Sequence, residues 1–154
     1  MNTVLSNLQA LCVKREYCES DILRKALKLL EGEPDAAEKA EELVASLVED
    51  RFVSNERYAC AYARDKAYFD GWGPMKIRMG LRAKNIDDKT IEIALDEVES
   101  AKAEEKLEKA LTSKWRSLRD DPNGKLKLIK FALSRGYNYD FIRPVVERVV
   151  AVSD

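Results

Sequence analysis

Residues 51–86, RFVSNERYACAYARDKAYFDGWGPMKIRMGLRAKNI, hold eight Lys or Arg against three acids, with five aromatics between Tyr58 and Trp72. Ser54 or Asn55 is placed to cap a helix. Along it Tyr58, Ala61, Tyr62, Asp65 and Phe69 follow one face, with Arg57 and Arg64 on the adjoining one. Gly71-Trp72-Gly73-Pro74 then breaks the chain. Pro74 suits a first helical turn, where its missing N–H would have no partner. The short helix 74–84 puts Ile77 and Leu81 on one face and Arg78 and Arg82 on a neighbouring one. Asn85 stands where a left-handed residue is wanted to end that helix. Asp87 or Asp88 opens the next, with Ile91, Ala94, Leu95 and Val98 inward. The stretch and its continuation read as one three-helix unit.

The same order returns 51 residues later. Lys76-Ile77 superposes on Lys127-Leu128, Lys84-Asn85-Ile86-Asp87 on Arg135-Gly136-Tyr137-Asn138, Ile91 on Ile142, and Leu95 on Val146. A helix over about 102–117 carries Leu107, Leu111 and Trp115 at four-residue spacing. Asp121-Pro122 starts a helix to Arg135, and Asn138 or Asp140 opens a last one to about Val152. A cap at Asp140 leaves Pro144 at N4, among N–H groups with no intrahelical partner. N-terminal to the stretch, 4–17 reads as a helix on Val4, Leu8, Leu11 and Cys12, and Ser20 can cap a second. Asp35 opens an acidic third, with Ala36, Ala40, Leu43, Val44, Leu47 and Val48 inward. The expected fold is all-α: three tandem three-helix repeats, 1–50, 51–100 and 101–154, in an elongated, curved helical array.

Charge alternates in blocks although the net charge is only −1. Residues 31–50 carry −7, 51–86 carry +5, 87–108 carry −6 and 109–135 carry +6. Two basic blocks permit an acidic partner or nucleic acid, while pairing with acidic neighbours would leave them as ordinary solvated faces. No apolar run approaches the roughly 20 residues needed to cross a bilayer. The opening MNTVLSNLQALCVKREY lacks the pattern of a signal peptide, so a cytoplasmic location is expected. Cys12, Cys18 and Cys60 form no disulfide framework or zinc spacing. Cys12 and Cys60 read as small core residues.

Catalysis finds no support. Histidine is absent, which removes Ser-His and Cys-His pairs and imidazole metal sites. Gly71-Trp72-Gly73-Pro74 has neither the Lys-Ser/Thr nor the preceding strand of a phosphate loop. Glu41-Glu42, Asp87-Asp88 and Glu104-Glu105 read as solvated helix faces. No enzyme, cofactor or metal is expected. The basic rows are sharper: Arg57 with Arg64, Arg78 with Arg82, and Lys127 with Lys130 each share a face suited to phosphates or an acidic groove. Trp72 reads either as a plug at the inter-helix corner or as an anchor for a partner, whereas Tyr58 and Tyr62 read as core residues and not as base-stacking platforms, since no sheet exists to present them.

At these residues the chain resembles the RecX family, regulators of the RecA recombinase. The resemblance rests on Asp50-Arg51-Phe52, Arg57-Tyr58-Ala59 with Arg64, Gly73-Pro74 with Ile77, Leu81, Lys84 and Ile86, and Arg135-Gly136-Tyr137. It extends over nearly the whole chain, and the family's three tandem three-helix repeats agree with the helix count. Gly80, Asn85 and Tyr58 depart from the family's usual Glu, Gly and Phe, and Gly80 is read as a mark of close helix approach. The resemblance implies a cytosolic protein that binds RecA, chiefly as a filament on single-stranded DNA, and lowers its ATPase, strand-exchange and co-protease activities. Expected contact residues are Arg57, Arg64, Arg78, Arg82, Lys84, Lys127, Lys130 and Arg135. Only Arg57, Arg64, Lys84 and Arg135 lie on matched positions, the rest coming from helical geometry. A monomer without membrane association is expected, and a weak direct contact with DNA stays open. The alternatives are a helical nucleic-acid-binding protein acting without RecA and a general helical-repeat adaptor.

Overall fold

A computed structural model of the chain describes residues 2–152, and among these it is all-helical, with nine helices and no strand. The helices are α1 (Asn2–Lys14), α2 (Glu19–Leu29), α3 (Ala36–Glu49), α4 (Asn55–Tyr68), α5 (Pro74–Ala83), α6 (Asp88–Asp96), α7 (Ser100–Leu118), α8 (Gly124–Ser134) and α9 (Tyr139–Val152). Met1, Ser153 and Asp154, at the outer ends of the first and third expected repeats, lie outside the described residues. Among the described residues no helix is long and apolar enough to cross a membrane.

Each successive helix triplet closes on a core of its own. Leu8, Ile22, Leu30 and Leu47 meet in the first, together with Val53 from beyond α3. Ala59, Ala63, Ile77, Leu81 and Ile91 meet in the second, and Leu107, Leu111, Leu128, Ile142 and Val146 in the third. Burying one of these Leu, Ile or Val side chains contributes roughly 1.5–3 kcal/mol, against about 0–1 kcal/mol for an exposed ion pair. The triplets are therefore held by their apolar faces, whatever the surface charges do. Helix α4 also packs on α7, linking the second triplet to the third.

The 51-residue repeat reappears in the backbone. Asn85 and Gly136 both take left-handed conformations, with φ of 61° and 96°. Asn85 N–H donates to the Arg82 carbonyl and Ile86 N–H to that of Leu81, while Gly136 N–H donates to the Leu133 carbonyl. Asp50-Arg51-Phe52 makes the same stop after α3: Arg51 has φ of 64°, its N–H donates to Val48 O, and Phe52 N–H donates to Leu47 O. Both full versions are Schellman turns, which satisfy carbonyls that the helix end leaves orphaned. Capping by Ser54 and Asp87 is as expected, since their side chains accept from the Arg57 and Thr90 N–H groups. A Cβ added at Gly80 would overlap the Tyr62 hydroxyl, so the mid-helix glycine does mark a close approach.

Several local expectations change. Helix α1 stops at Lys14, because Tyr17 and Cys18 leave it to be buried. Ser20 is not the cap of α2, which starts one residue earlier; its hydroxyl donates instead to the Lys84 carbonyl, 2.8 Å away. In α4 the inward face is Ala59, Ala63 and Ala67, small side chains that let α6 and α7 approach. Tyr58 and Tyr62 are consequently only half-buried, and Phe69 is exposed. Val48 is exposed too. Pro122 lies in a turn before α8, where the Asp121 carboxylate accepts from Asn123 N–H and Lys127 Nζ. Asn138 caps α9, accepting from Phe141 N–H, so Pro144 falls inside the helix and cannot donate to the Asp140 carbonyl. Among the cysteines, Cys18 is wholly buried while Cys12 and Cys60 are half-buried against their cores.

Candidate functional site

The expected contact residues occupy two kinds of place. Lys84 and Arg57 lie at the joint between the first and second triplets. Lys84 Nζ donates to both Asp21 carboxylate oxygens, at 3.0 and 3.2 Å, while its carbonyl accepts from Ser20. Burial opposes ionisation of Asp21, but hydrogen bonds from Lys84, Cys18 and Arg24 outweigh it and hold that carboxyl below its usual range. Arg57 Nε meets Glu16 at 3.0 Å, and its Nη2 donates to the Arg51 carbonyl at 2.9 Å. The joint is completed by Glu19 N–H, which donates to Asn55 Oδ1, and by Cys18, which is packed into the core of the second triplet.

Arg135 belongs to the other joint. Its side chain lies over the Phe131 ring and donates to the Asp70 carbonyl, and its own carbonyl accepts from Gly73 N–H. Met75 N–H donates to the Gly136 carbonyl at 3.0 Å, giving two backbone bonds side by side. A Cβ on Gly73 would come within 2.6 Å of the Gly136 carbonyl atoms, and one on Gly136 within 2.7 Å of the Lys76 nitrogen. The Gly73-Pro74 and Arg135-Gly136-Tyr137 motifs, 62 positions apart from Gly73 to Arg135, are thus two halves of one contact. Beside it lies an apolar cleft of about 310 Å3, walled by Trp72, Met75, Val98, Tyr137 and Phe141 with Arg78 on one side. Burial pushes the Tyr137 phenol up to about 12, and its hydroxyl has no hydrogen-bond partner among the described residues.

The remaining expected residues lie on helix surfaces. Arg78 grips Glu92 through two bonds of 2.7 and 3.3 Å, and that contact holds the guanidinium above its usual range and the carboxyl below its own. Arg82 pairs with Asp88 at 3.0 Å and Lys127 with Asp121 at 2.6 Å. Arg64 and Lys130 are exposed, and among the described residues neither is held by a hydrogen bond or ion pair. The Arg78–Arg82 row is therefore largely neutralised where it stands; of the eight expected residues, Arg64, Lys130 and Arg135 have no ion pair among the described residues, and Arg135 is held by a backbone carbonyl and a ring. Trp72 is neither a buried plug nor a free anchor. It is half-buried, edge-on to Tyr62, with Lys66 and Lys76 ammonium groups 4.6 and 4.5 Å from its ring centre. Sequence reasoning overlooked those two lysines; their spacing from Trp72, six residues before it and four after, is the available signal.

These motifs and joints bear comparison with known proteins. Residues 54–95 match the family model described as RecX, second three-helix domain. The regulatory protein RecX of Clostridium botulinum (strain Eklund 17B / Type B) is 30% identical over an alignment 160 positions long, covering 96% of this chain and 73% of that protein. The chain belongs to the RecX family. The RecX of Leuconostoc mesenteroides is 29% identical over 84% of this chain, and that of Bacillus mycoides 30% identical over 70%. The chain spans only 50% and 41% of the lengths of those two relatives. In fold, the crystal structure of RecX from Lactobacillus salivarius matches with a TM-score of 0.76 at 21% identity, over 97% of this chain and 98% of that one. A further RecX crystal structure matches with a TM-score of 0.81 at 22% identity, over 95% and 71%. These curated relatives are named as regulatory proteins.

Proposed function

We propose that the chain is a regulator of the RecA recombinase. It binds RecA and RecA filaments on single-stranded DNA and lowers recombinase, ATPase and co-protease activity, and so modulates recombinational repair and the SOS response. Membership of the RecX family carries this reading, through the Clostridium relative aligned over 96% of the chain. The chain acts as a cytoplasmic monomer without cofactor or metal, and by binding, not catalysis. Three repeats, read as 1–50, 51–100 and 101–154, offer successive faces. The outer two meet different protomers, while the bases of the middle one face the filament groove.

Among the expected contact residues, Arg64 and Lys130 are the foremost candidates, since no local carboxylate has to be displaced to free them. Arg78, Arg82 and Lys127 reach a partner only by leaving Glu92, Asp88 and Asp121, exposed pairs that water and salt screen. Lys84, Arg57 and Arg135 support the reading indirectly, by setting how the repeats are joined. The test is RecA ATPase on single-stranded DNA with the protein titrated in. Inhibition at substoichiometric amounts is expected, and no effect overturns the proposal. Reversing charge at Arg64 and Lys130 should weaken inhibition more than reversing Arg78 and Arg82. Unchanged inhibition by a folded Arg78→Glu, Arg82→Glu variant removes α5 from the contact.

A further inference from the structure

A different set of cations gathers in the first repeat. Arg15, in the link before α2, and Arg24, Lys25 and Lys28, on one flank of α2, line a cleft of about 310 Å3 together with Tyr17 and the Asp21 carboxylate. All four basic side chains are exposed. Beneath them Tyr17 is buried, with the Arg15 guanidinium 4.4 Å and the Lys25 ammonium 5.7 Å from its ring centre. Those ring contacts hold two of the cations in place, so less side-chain freedom is lost when an anion arrives.

Along the sequence this region looks close to neutral, because Glu16, Glu19 and Asp21 are interleaved with the bases. The fold gives two of these acids partners. Glu16 is paired with Arg57, and Asp21 is shared between Arg24 and Lys84. Glu19 faces a separate cleft with Glu41 and Glu49. Asp21 stays in the shelf as the partner of Arg24 and Lys84, so the cations left there with no ion pair among the described residues are Arg15, Lys25 and Lys28.

Arg15 also lines a second cleft, of about 510 Å3, together with Tyr58, Tyr62, Phe69 and Lys66 and the carboxylates of Glu16, Asp65 and Asp70. The two clefts meet at Arg15. The Tyr58 and Tyr62 rings lie 5.9 Å apart and half-buried, and Phe69 is 74% exposed. Cations followed by partly exposed rings are what an unpaired strand needs, with phosphates on the first and base faces on the second.

We infer that this groove, from the Arg15–Lys28 shelf to the Tyr58–Phe69 wall, binds single-stranded nucleic acid. A duplex keeps its base faces stacked inside, and an acidic protein segment would leave the aromatic wall unused. Glu16 and Asp70 in the groove are neutralised by Arg57 and Lys66. Asp65 is the groove carboxylate with no ion pair among the described residues, and it restrains the affinity. The binding requires no recombinase, so its failure leaves the RecA reading untouched.

Fluorescence anisotropy of a labelled oligothymidylate with the full chain alone tests this. Arg15→Gln, Arg24→Gln, Lys25→Gln and Lys28→Gln together should weaken binding at least about tenfold. They should also lower the salt slope by roughly 0.7 for each phosphate no longer neutralised. Phe69→Ala should weaken binding about fivefold or more, Asp65→Asn should tighten it, and Arg64→Gln with Lys130→Gln should leave it unchanged. Lys28→Glu, at a side chain with no ion pair or ring contact among the described residues, serves should the quadruple variant unfold. The inference is overturned if the oligothymidylate does not bind, or if a duplex of equal length binds as tightly. It is equally overturned if neither shelf variant matters, or if polyglutamate displaces the strand while Phe69→Ala has no effect.

Discussion

The two joints of the molecule are built from different materials. Between the first and second repeats the contact is made by side chains: Lys84 with Asp21, Arg57 with Glu16, Asn55 with the Glu19 N–H, and the inserted thiol of Cys18. Between the second and third it is made by backbone, with Gly73 and Met75 donating to Arg135 and Gly136. A backbone contact admits no side chain at its centre, which makes glycine obligatory and the geometry stiff. A polar side-chain contact tolerates many residue types but responds to salt and pH. The difference teaches that neighbouring repeats of one chain can be welded at one seam and adjustable at the next.

The largest expected effect comes from breaking the weld. Gly136→Ala would meet the Lys76 nitrogen at 2.7 Å while also straining a residue with φ of 96°, and should destabilise the protein by about 2–4 kcal/mol in urea denaturation. Gly32→Ala has comparable backbone strain, φ of 87°, but open space around it, so it should cost only about 1–2 kcal/mol. An equal cost for the two variants would refute the close contact at the second joint.

Next comes the polar joint. Lys84 and Asp21 side chains are 34% and 15% exposed, between a surface and a buried pair. Lys84→Met should cost about 1–2 kcal/mol, and Asp21→Asn less, with a coupling of about 0.5–1 kcal/mol in the double-mutant cycle. Additive costs would mean that the pair does not hold the repeats together.

The joints should also fail at opposite ends of the pH scale. The Asp21 carboxyl is held below its ordinary value of 3.8. Its stabilisation is complete above that value and is lost as pH falls below it. The Tyr137 phenol is raised from 10.0 to about 12, so its contribution is complete below 10 and is lost as pH rises towards 12. Comparing wild type with Asp21→Asn in acid, and with Tyr137→Phe in alkali, isolates each group. Parallel pH curves for either pair would discard the corresponding assignment.

The smallest effect is that of salt. Raising ionic strength screens exposed pairs within a Debye length, so the Glu19 amide should exchange faster with solvent while those of Gly73 and Met75 hold their protection. Equal acceleration at both seams would erase the distinction.

Much of this architecture was legible because it is local. Helix caps at Ser54 and Asp87, the left-handed Asn85 and Gly136, Pro74 at a helix start and the Leu107–Leu111–Trp115 stripe each depend on residues within a few positions. The error over α4 arose because an alanine face and an aromatic face have similar periodicity, and only the neighbours α6 and α7 decide between them. The candidate site was harder. Lys84 and Asp21 are 63 positions apart, and no count of nearby charge reveals that each is the other's partner. For the same reason Arg78 and Lys127 looked like free charge, though each meets a carboxylate supplied from elsewhere in its own repeat. Family motifs pointed correctly to Gly73-Pro74 and Arg135-Gly136-Tyr137, but as separate signatures; folding makes them one seam.

Cys18 carries one more consequence. Its sulfur comes from the first repeat, where it lies 3.3 Å from Ser20 Oγ, and is wholly buried against the core of the second. A thiol reagent can reach it only after the two have parted, whereas Cys12 and Cys60 are half-exposed. Burial, together with Glu97, pushes the Cys60 thiol up to about 11, and burial with Glu16 raises that of Cys12, so both react slowly at neutral pH despite their access. The rate at which Cys18 becomes modified is therefore a clock for the opening of that seam, built into the natural chain and readable without any label.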